Sequence, residues 1–371
     1  MKQAGILTIH TAHNYGAVLQ AYALKKVVND MGCNCKFINY QSPAQISQYS
    51  ILNTESFDLK ALIKFSQNCF HIKQLKIRRA LFNKFINTYL DGSDKRLKTI
   101  EEVQKTAAGL DAIIVGSDQV WNVNLKDVRY DYLLDFPKHE RRISYAASIG
   151  NDLRSIQENS ERIIPLIRGF DHISVRENDT TELLKKYDIH SETVLDPTLL
   201  LERDEWIRLS ALVEQREPYI LYYSLACKKH TQAVAKNLAS QMGLKVISPV
   251  LNPRQIGSGF QNEIACGPEQ FLGLLENAAF VCTDSFHGTV FSILFEKPFV
   301  AVFDLKDGKL VRENRKASLL EWFGLEKHMV TKETVLNVMD YMATDYSKVY
   351  EKKNVIKLAS LDFLKNSLKG V

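Results

Sequence analysis

Short apolar runs alternate with amphipathic stretches of helical period along the first half of the chain. Gly5-Ile6-Leu7-Thr8-Ile9 reads as a strand. It is followed by Ala17–Asp30, where Val18, Tyr22, Leu24 and Val27 recur at helical spacing until Met31-Gly32 stops the pattern. Further strand-like runs are Cys35-Lys36-Phe37-Ile38-Asn39-Tyr40, Ala112-Ile113-Ile114-Val115, Ile143-Ser144-Tyr145-Ala146-Ala147, His172-Ile173-Ser174-Val175 and Thr193-Val194-Leu195. Such runs separated by helical segments predict βαβ units and a parallel, doubly wound sheet, whose ligands gather at the carboxyl ends of the strands. Asp196-Pro197 closes this set. After Arg216-Glu217-Pro218 a second set begins with Tyr219–Tyr223 and continues through Leu244–Ile247, Phe280–Thr283 and Pro298–Val302. The pattern thus predicts an α/β protein of two domains. The first spans 1–205 with a helical insert at about 45–105, the second spans 206–345, and a helical tail covers 346–371. The break itself falls near residues 200–217.

The 371-residue length agrees with two domains at roughly 100–200 residues each. Charge adds little: 48 basic and 43 acidic residues leave +5, short of the clustered excess of a dedicated nucleic-acid binder, so no nucleic-acid partner is expected. A mildly basic surface suits anionic small substrates. The insert is more pronounced. Between Phe57 and Leu90 its charged residues are Asp58, Lys60, Lys64, Lys73, Lys76, Arg78, Arg79 and Lys84, all but the first basic, and Leu62, Phe65, Leu75, Leu81, Phe82 and Phe85 interleave with them. Either this is a solvated helix face or it is a patch for anionic lipid or a lipid-linked substrate, giving peripheral membrane contact. Six cysteines with one Cys33-x-Cys35 pair make weak metal evidence. No apolar stretch approaches the ~20 residues of a membrane span, and the opening residues carry no secretory apolar run, so a cytoplasmic, reduced enzyme is expected, at most at the inner face of the membrane.

The densest chemistry lies in Thr283-Asp284-Ser285-Phe286-His287-Gly288-Thr289. It follows a strand and opens an apolar helical run, so Asp284 or Ser285 is a candidate helix cap. The amides of Gly288 and Thr289 would sit at the positive end of that helix as an anion site, with Gly288 permitting close approach to the backbone. His287 is placed to move a proton at neutral pH; the competing reading is a structural histidine beside a cap. At the end of the first strand lie His10, His13, Asn14, Tyr15 and Gly16. The two histidines have H-x-x-H spacing but no third ligand, so no metal is expected. No Gly-x-Ser-x-Gly elbow and no P-loop signature occurs.

Taken in order, Thr8–Leu24, Gly116-Ser117-Asp118-Gln119-Val120-Trp121-Asn122, Ser174-Val175-Arg176-Glu177, Asp196-Pro197-Thr198 and Asp284-Ser285-Phe286-His287-Gly288 resemble the polysaccharide pyruvyl transferases over roughly residues 3–325. The resemblance implies a GT-B-like fold, with two Rossmann-like domains facing across a cleft. It implies transfer of the pyruvyl group of phosphoenolpyruvate onto two hydroxyls of a sugar, in a polysaccharide or a lipid-linked precursor, giving a ketal and phosphate in exopolysaccharide biosynthesis. No cofactor and no metal is implied. His287 would be the acid or base, with Asp284 beside it. Arg176, Ser285, Gly288, Thr289 and Arg315 would bind the donor. His13, Asn14, Tyr15, Gly16, Ser117, Asp118 and Trp121 would bind the acceptor sugar, Trp121 by stacking. One departure stands out: Ser285 occupies the place of an arginine in the family's Arg-x-His-Gly pattern. Lys297, Arg312, Arg315 and Lys316 are candidates to supply the missing cation, Arg315 first among them. The alternative readings are a GT-B glycosyltransferase using a nucleotide sugar and a non-catalytic carbohydrate-binding protein. The oligomeric state is open.

Overall fold

In a computed structural model, residues 3–48, 59–92, 94–125, 130–150, 153–215, 217–311 and 313–369 are described. The chain divides into two compact units. One comprises residues 1–50, 84–201 and 353–371; the other comprises 51–83 and 202–352. The linear boundaries expected from sequence are therefore corrected at two places. The middle of the helical insert groups with the second unit, and the end of the tail groups with the first.

The first unit is built on six parallel strands: β1 (Gln3–Leu7), β2 (Asn34–Phe37), β3 (Ala112–Gly116), β4 (Arg141–Ala147), β5 (His172–Val175) and β6 (Glu192–Thr193). Their spatial order is β2-β1-β3-β4-β5-β6, all pairs parallel. The chain leaves β1 in one direction to make β2 and returns on the other side to make β3, so the strand order reverses between β1 and β3. β3 is buried at every position, as a central parallel strand covered on both faces must be. Leu7, Ile113, Val115, Val120, Trp121 and Ile167 pack in its core.

The second unit repeats the plan. Its strands are β7 (Tyr219–Tyr223), β8 (Lys245–Ser248), β9 (Gln261–Asn262), β10 (Phe280–Thr283) and β11 (Phe299–Val302). A two-stranded hairpin of β12 (Leu305–Lys306) and β13 (Lys309–Leu310) stands apart, and β14 (Met329–Val330) completes the main sheet. The order β14-β11-β10-β7-β8-β9 reverses between β7 and β10. Tyr223, Phe271, Phe291 and Trp206 form an aromatic chain in this core, with ring centroids 4.7 Å apart for Tyr223–Phe271 and 5.0 Å for Trp206–Phe291. The short strands β9 and β14 carry too few apolar residues to show in a periodicity reading.

The long helix Tyr346–Ser367 closes the chain. Within the second unit the hydroxyl of Tyr346 donates to the Lys297 carbonyl at 2.6 Å. Within the first, the Ser360 hydroxyl accepts from the Leu195 amide at 3.0 Å, Phe363 lies beside the Tyr145 ring, and Arg141 donates to the Ser367 carbonyl at 3.2 Å. The Ser360 hydroxyl satisfies the buried Leu195 amide just beyond the end of β6, which is an edge strand of the sheet among the described residues. Ser360→Ala strands that amide. It should lower the unfolding free energy by about 1–3 kcal/mol in a urea titration, whereas an unchanged midpoint would assign the anchoring to apolar contacts alone.

Candidate functional site

Each sheet presents a crevice at the carboxyl ends of its strands where the strand order reverses, the place where open α/β sheets hold ligands. In the second unit the register pairs Thr283 with Tyr223. The next residues, Asp284 and Ser224, therefore face one another, and the Ser224 hydroxyl donates to the Asp284 carboxylate at 2.7 Å. The Thr231 hydroxyl, in the first turn of the helix Lys229–Met242, donates to the same oxygen at 3.3 Å. Burial pushes the Asp284 carboxyl up from its ordinary value, against the pull of the Ser224 hydrogen bond and the nearby Lys316 charge. Lys228 at the start of the Lys229–Met242 helix pairs with Asp304, just beyond β11, and His230 reaches the other oxygen of Asp304 at 2.9 Å. Because β10 lies between β7 and β11, this bridge spans the end of the strand that delivers Asp284.

The helix Phe286–Leu294 begins at the same crevice. Ser285 is its N-cap: its hydroxyl accepts from the Gly288 amide at 3.4 Å, and its carbonyl accepts from the Thr289 amide at 3.0 Å. Here the structure corrects the expectation for Gly288 and Thr289, since both amides are spent inside the helix. Gly288 has a different reason to be glycine. A Cβ there would stand 2.2 Å from Thr283 Oγ1 and 2.9 Å from the Tyr223 ring. Thr283 Oγ1 cannot yield, because it donates to the Tyr223 carbonyl at 2.6 Å and accepts from the Ser285 amide at 3.0 Å. Gly288 thus lets the helix lie against the strand ends. His287 lies in the first turn of this helix, nearly buried, beside the edge of Phe286.

The cations proposed to replace the missing arginine separate clearly. Lys316 is buried, donates to the Val302 carbonyl at 2.8 Å, pairs with Glu313 at 3.1 Å and lies over the Phe303 ring. It is a structural lysine whose ammonium burial lowers in pKa. Lys297 precedes β11 and so sits at the amino end of the sheet, away from the crevice. Arg312 lies outside the described residues. Arg315, half-buried in the first turn of the helix Asn314–Phe323, remains the candidate.

Arg176 is a second correction. It belongs to the first unit, is 3% exposed, and its guanidinium donates to Asp196 at 2.9 Å and Glu177 at 3.1 Å. Asp196 also accepts from the Ser117 hydroxyl at 2.9 Å, the Thr198 amide at 3.0 Å and the Thr198 hydroxyl at 2.6 Å. A guanidinium sealed between two carboxylates offers no face to a donor phosphate. It ties the end of β5 to the loop after β6, and Ser117 to both.

The expected acceptor residues divide in the same way. Tyr15, Gly16, Ser117 and Trp121 are buried, and Trp121 packs edge-on to Phe170 rather than presenting a face for stacking. The Asn14 side chain caps the helix Tyr15–Asp30 through the Ala17 amide at 3.3 Å. His10 is buried, stacks on Phe37, holds the Thr8 carbonyl through Nδ1 at 2.9 Å, and burial lowers its pKa to about 4, so it is a neutral structural group. His13 and Asp118 keep partial exposure at the β1–β3 crevice. Asp118 adopts φ 65°, a left-handed backbone that Asp tolerates better than most residues, and this turns the chain sharply after β3. Among the described residues no group of three or more His, Cys, Asp or Glu could hold a metal ion. Ser224, Thr231, Lys228, His230 and Asp304 were not singled out from sequence. The rule that ligands gather at strand carboxyl ends, applied to Tyr219–Tyr223 and Pro298–Val302, points to the loops that hold them.

Two Rossmann-like parallel sheets, each with its crevice at the strand-order reversal, define a GT-B-like α/β protein. The chain belongs to the polysaccharide pyruvyl transferases, whose family profile matches residues 14–304. No curated protein matches it. Solved structures of low identity are similar to it, and the first of these shares its fold. A UDP-N-acetylglucosamine 2-epimerase has 10% identity and TM-score 0.53, covering 95% of this chain and 90% of the other. The UDP-GlcNAc 2-epimerase from Neisseria meningitidis has 11% identity and TM-score 0.47, covering 98% and 100%. A heptosyltransferase from E. coli has 13% identity and TM-score 0.37, covering 85% and 91%.

The ion network gives a stability prediction. Arg176→Ala leaves Asp196 and Glu177 buried without their counter-charge and should cost about 3–5 kcal/mol in denaturant unfolding. A variant as stable as the parent would show that the guanidinium is not structural.

Proposed function

We propose that the protein transfers the pyruvyl group of phosphoenolpyruvate to two hydroxyls of a sugar, in a polysaccharide or lipid-linked precursor, releasing phosphate. The observation that carries this reading, beside the family, is the Asp284 carboxyl at the crevice of the second sheet, with His287 three residues on in the first turn of the following helix. The reaction adds a proton to the methylene carbon of the donor, joins one sugar hydroxyl to its C2, and then replaces phosphate by the second hydroxyl. Of the two protons the hydroxyls lose, one is balanced by the proton added to the methylene carbon and the other leaves with the departing phosphate. A carboxyl held up by burial keeps a proton available, which suits Asp284 to the acid step. His287, on the adjoining helix turn, then takes the hydroxyl proton. Lys228, the exposed Lys229 that opens the helix Lys229–Met242, and Arg315 are the cations assigned to the phosphate and carboxylate, in place of the arginine that Ser285 replaces. His13 and Asp118, the partly exposed residues at the crevice of the first sheet, are the acceptor candidates.

The purified chain with phosphoenolpyruvate and an acceptor should release phosphate without added metal or nucleotide. His287→Ala should lower kcat/KM by about 10²–10⁴-fold with the melting temperature retained; robust turnover by that variant would remove His287 from the mechanism. The pH dependence follows from Asp284. Its folded pKa is raised, so the acid form is full below that value and is lost as pH rises through it. The rate should fall on that alkaline limb, and Asp284→Asn should be slow at every pH with the limb absent. A limb unchanged in Asp284→Asn would assign the acid elsewhere.

A further inference from the structure

We propose that the two consecutive helices Leu59–Phe70 and Ile72–Tyr89, which belong to the second unit as far as residue 83, dock the protein on an anionic lipid bilayer. The first of these helices carries an apolar arc that the fold leaves uncovered. Leu62 is 64% exposed and Phe70 is 84% exposed, with Ile63 and Phe65 also exposed beside them. Helical spacing puts Leu62, Ile63 and Phe70 within one arc of about 100°, with Phe65 flanking it, so the exposed atoms form a strip rather than scattered points. The strip borders an open groove of about 650 Å³ against the loop Gln255–Phe260, where Ile256 is exposed as well. Exposed apolar side chains on this scale are costly in water and are covered when the helix lies at the headgroup boundary, its apolar face about 5–10 Å deep.

Charge selects the kind of surface. From Leu59 to Leu90 the sequence has no acidic residue and contains seven Lys and Arg. Arg78 is turned inward, donating to the Pro249 carbonyl at 2.6 Å and lying over Phe82. Lys64, Lys73, Lys76 and Arg79 are exposed. Ile77, half exposed, lies one turn from Lys73. Phe70 ends the first helix, His71 is the one-residue break, and Lys73 is the second residue of the next helix, so the exposed Phe70 ring and the first exposed charge of the next helix lie three residues apart. Apolar anchors with lysines next to them fit anionic phospholipid, where the chains take the former and the phosphates the latter. A second copy of the chain is a poor occupant, because a two-fold contact would set these cations against their own copies.

The test is cosedimentation of the full chain with vesicles of phosphatidylcholine alone or mixed with phosphatidylglycerol. Binding to the anionic vesicles only, weakened by added salt, is expected. The double variant Leu62→Ser with Phe70→Ser, and separately the triple variant Lys73→Gln, Lys76→Gln, Arg79→Gln, should each weaken binding by about tenfold or more. All these positions are exposed, so the variants should melt with the parent. Absence of binding to anionic vesicles, or binding by either variant as tight as the parent's, would overturn the proposal. A loss of dimer in the serine variant by size exclusion would instead give the strip to a second copy and likewise overturn it. Phosphate release with a water-soluble acceptor is read separately, so failure here leaves the pyruvyl-transfer reading standing on its own test.

Discussion

A parallel sheet whose strand order reverses cannot cover the ends of the two strands at the reversal, because the connections leave them in opposite directions. The protein meets this constraint twice, between β1 and β3 and between β7 and β10. Everything that can carry chemistry here is set by what fills those two openings. In the second unit the β7–β10 register makes Ser224 and Asp284 neighbours, and the helices that follow both strands begin beside them. Helix N-termini bring partial positive charge to the spot, and the carboxyl between them is sealed enough to hold its proton above the ordinary range.

The two sheets use buried polar groups differently. In the first, Asp196 gathers Ser117, Arg176 and Thr198, and the set is closed on itself. Such a network fixes loop geometry and offers nothing to a ligand. In the second, Asp284 is held by two hydroxyls, while the cationic residues around it sit at the surface of the crevice or in pairs with partial exposure. That contrast is the reason the proposed anion chemistry is assigned to the second sheet, where Ser285 stands in place of the family arginine. The serine hydroxyl satisfies the Gly288 amide and starts the helix, while neighbouring loops carry the charge.

Much of the fold was legible along the chain. The runs His172–Val175, Tyr219–Tyr223 and Phe280–Thr283 coincide with strands because buried parallel strands are unbroken apolar segments between turn residues. Ser285 was legible as a cap candidate because its spacing from the apolar run obeys the cap rule. Other features depend on partners far along the chain. Ser224 and Asp284 meet across 60 residues, and Arg176 and Asp196 across 20. A strand-end arginine looks the same in sequence whether it faces water or a buried aspartate. Trp121, which the resemblance offers for stacking on a sugar, is a core residue instead: the left-handed turn at Asp118 carries the chain back into the interior. The middle of the insert was misassigned because a helical segment shows in sequence which face is apolar but not which body it packs against.

The central claim is that phosphoenolpyruvate is held at the β7–β10 crevice by residues of the second unit. A crystal structure of the protein with phosphoenolpyruvate bound tests it most directly. The account predicts the phosphate within hydrogen-bond distance of Lys228, Lys229 or Arg315, and the methylene carbon near Asp284 and His287. Density for the donor on Arg176 in the first sheet, or at any site away from Asp284, would contradict it.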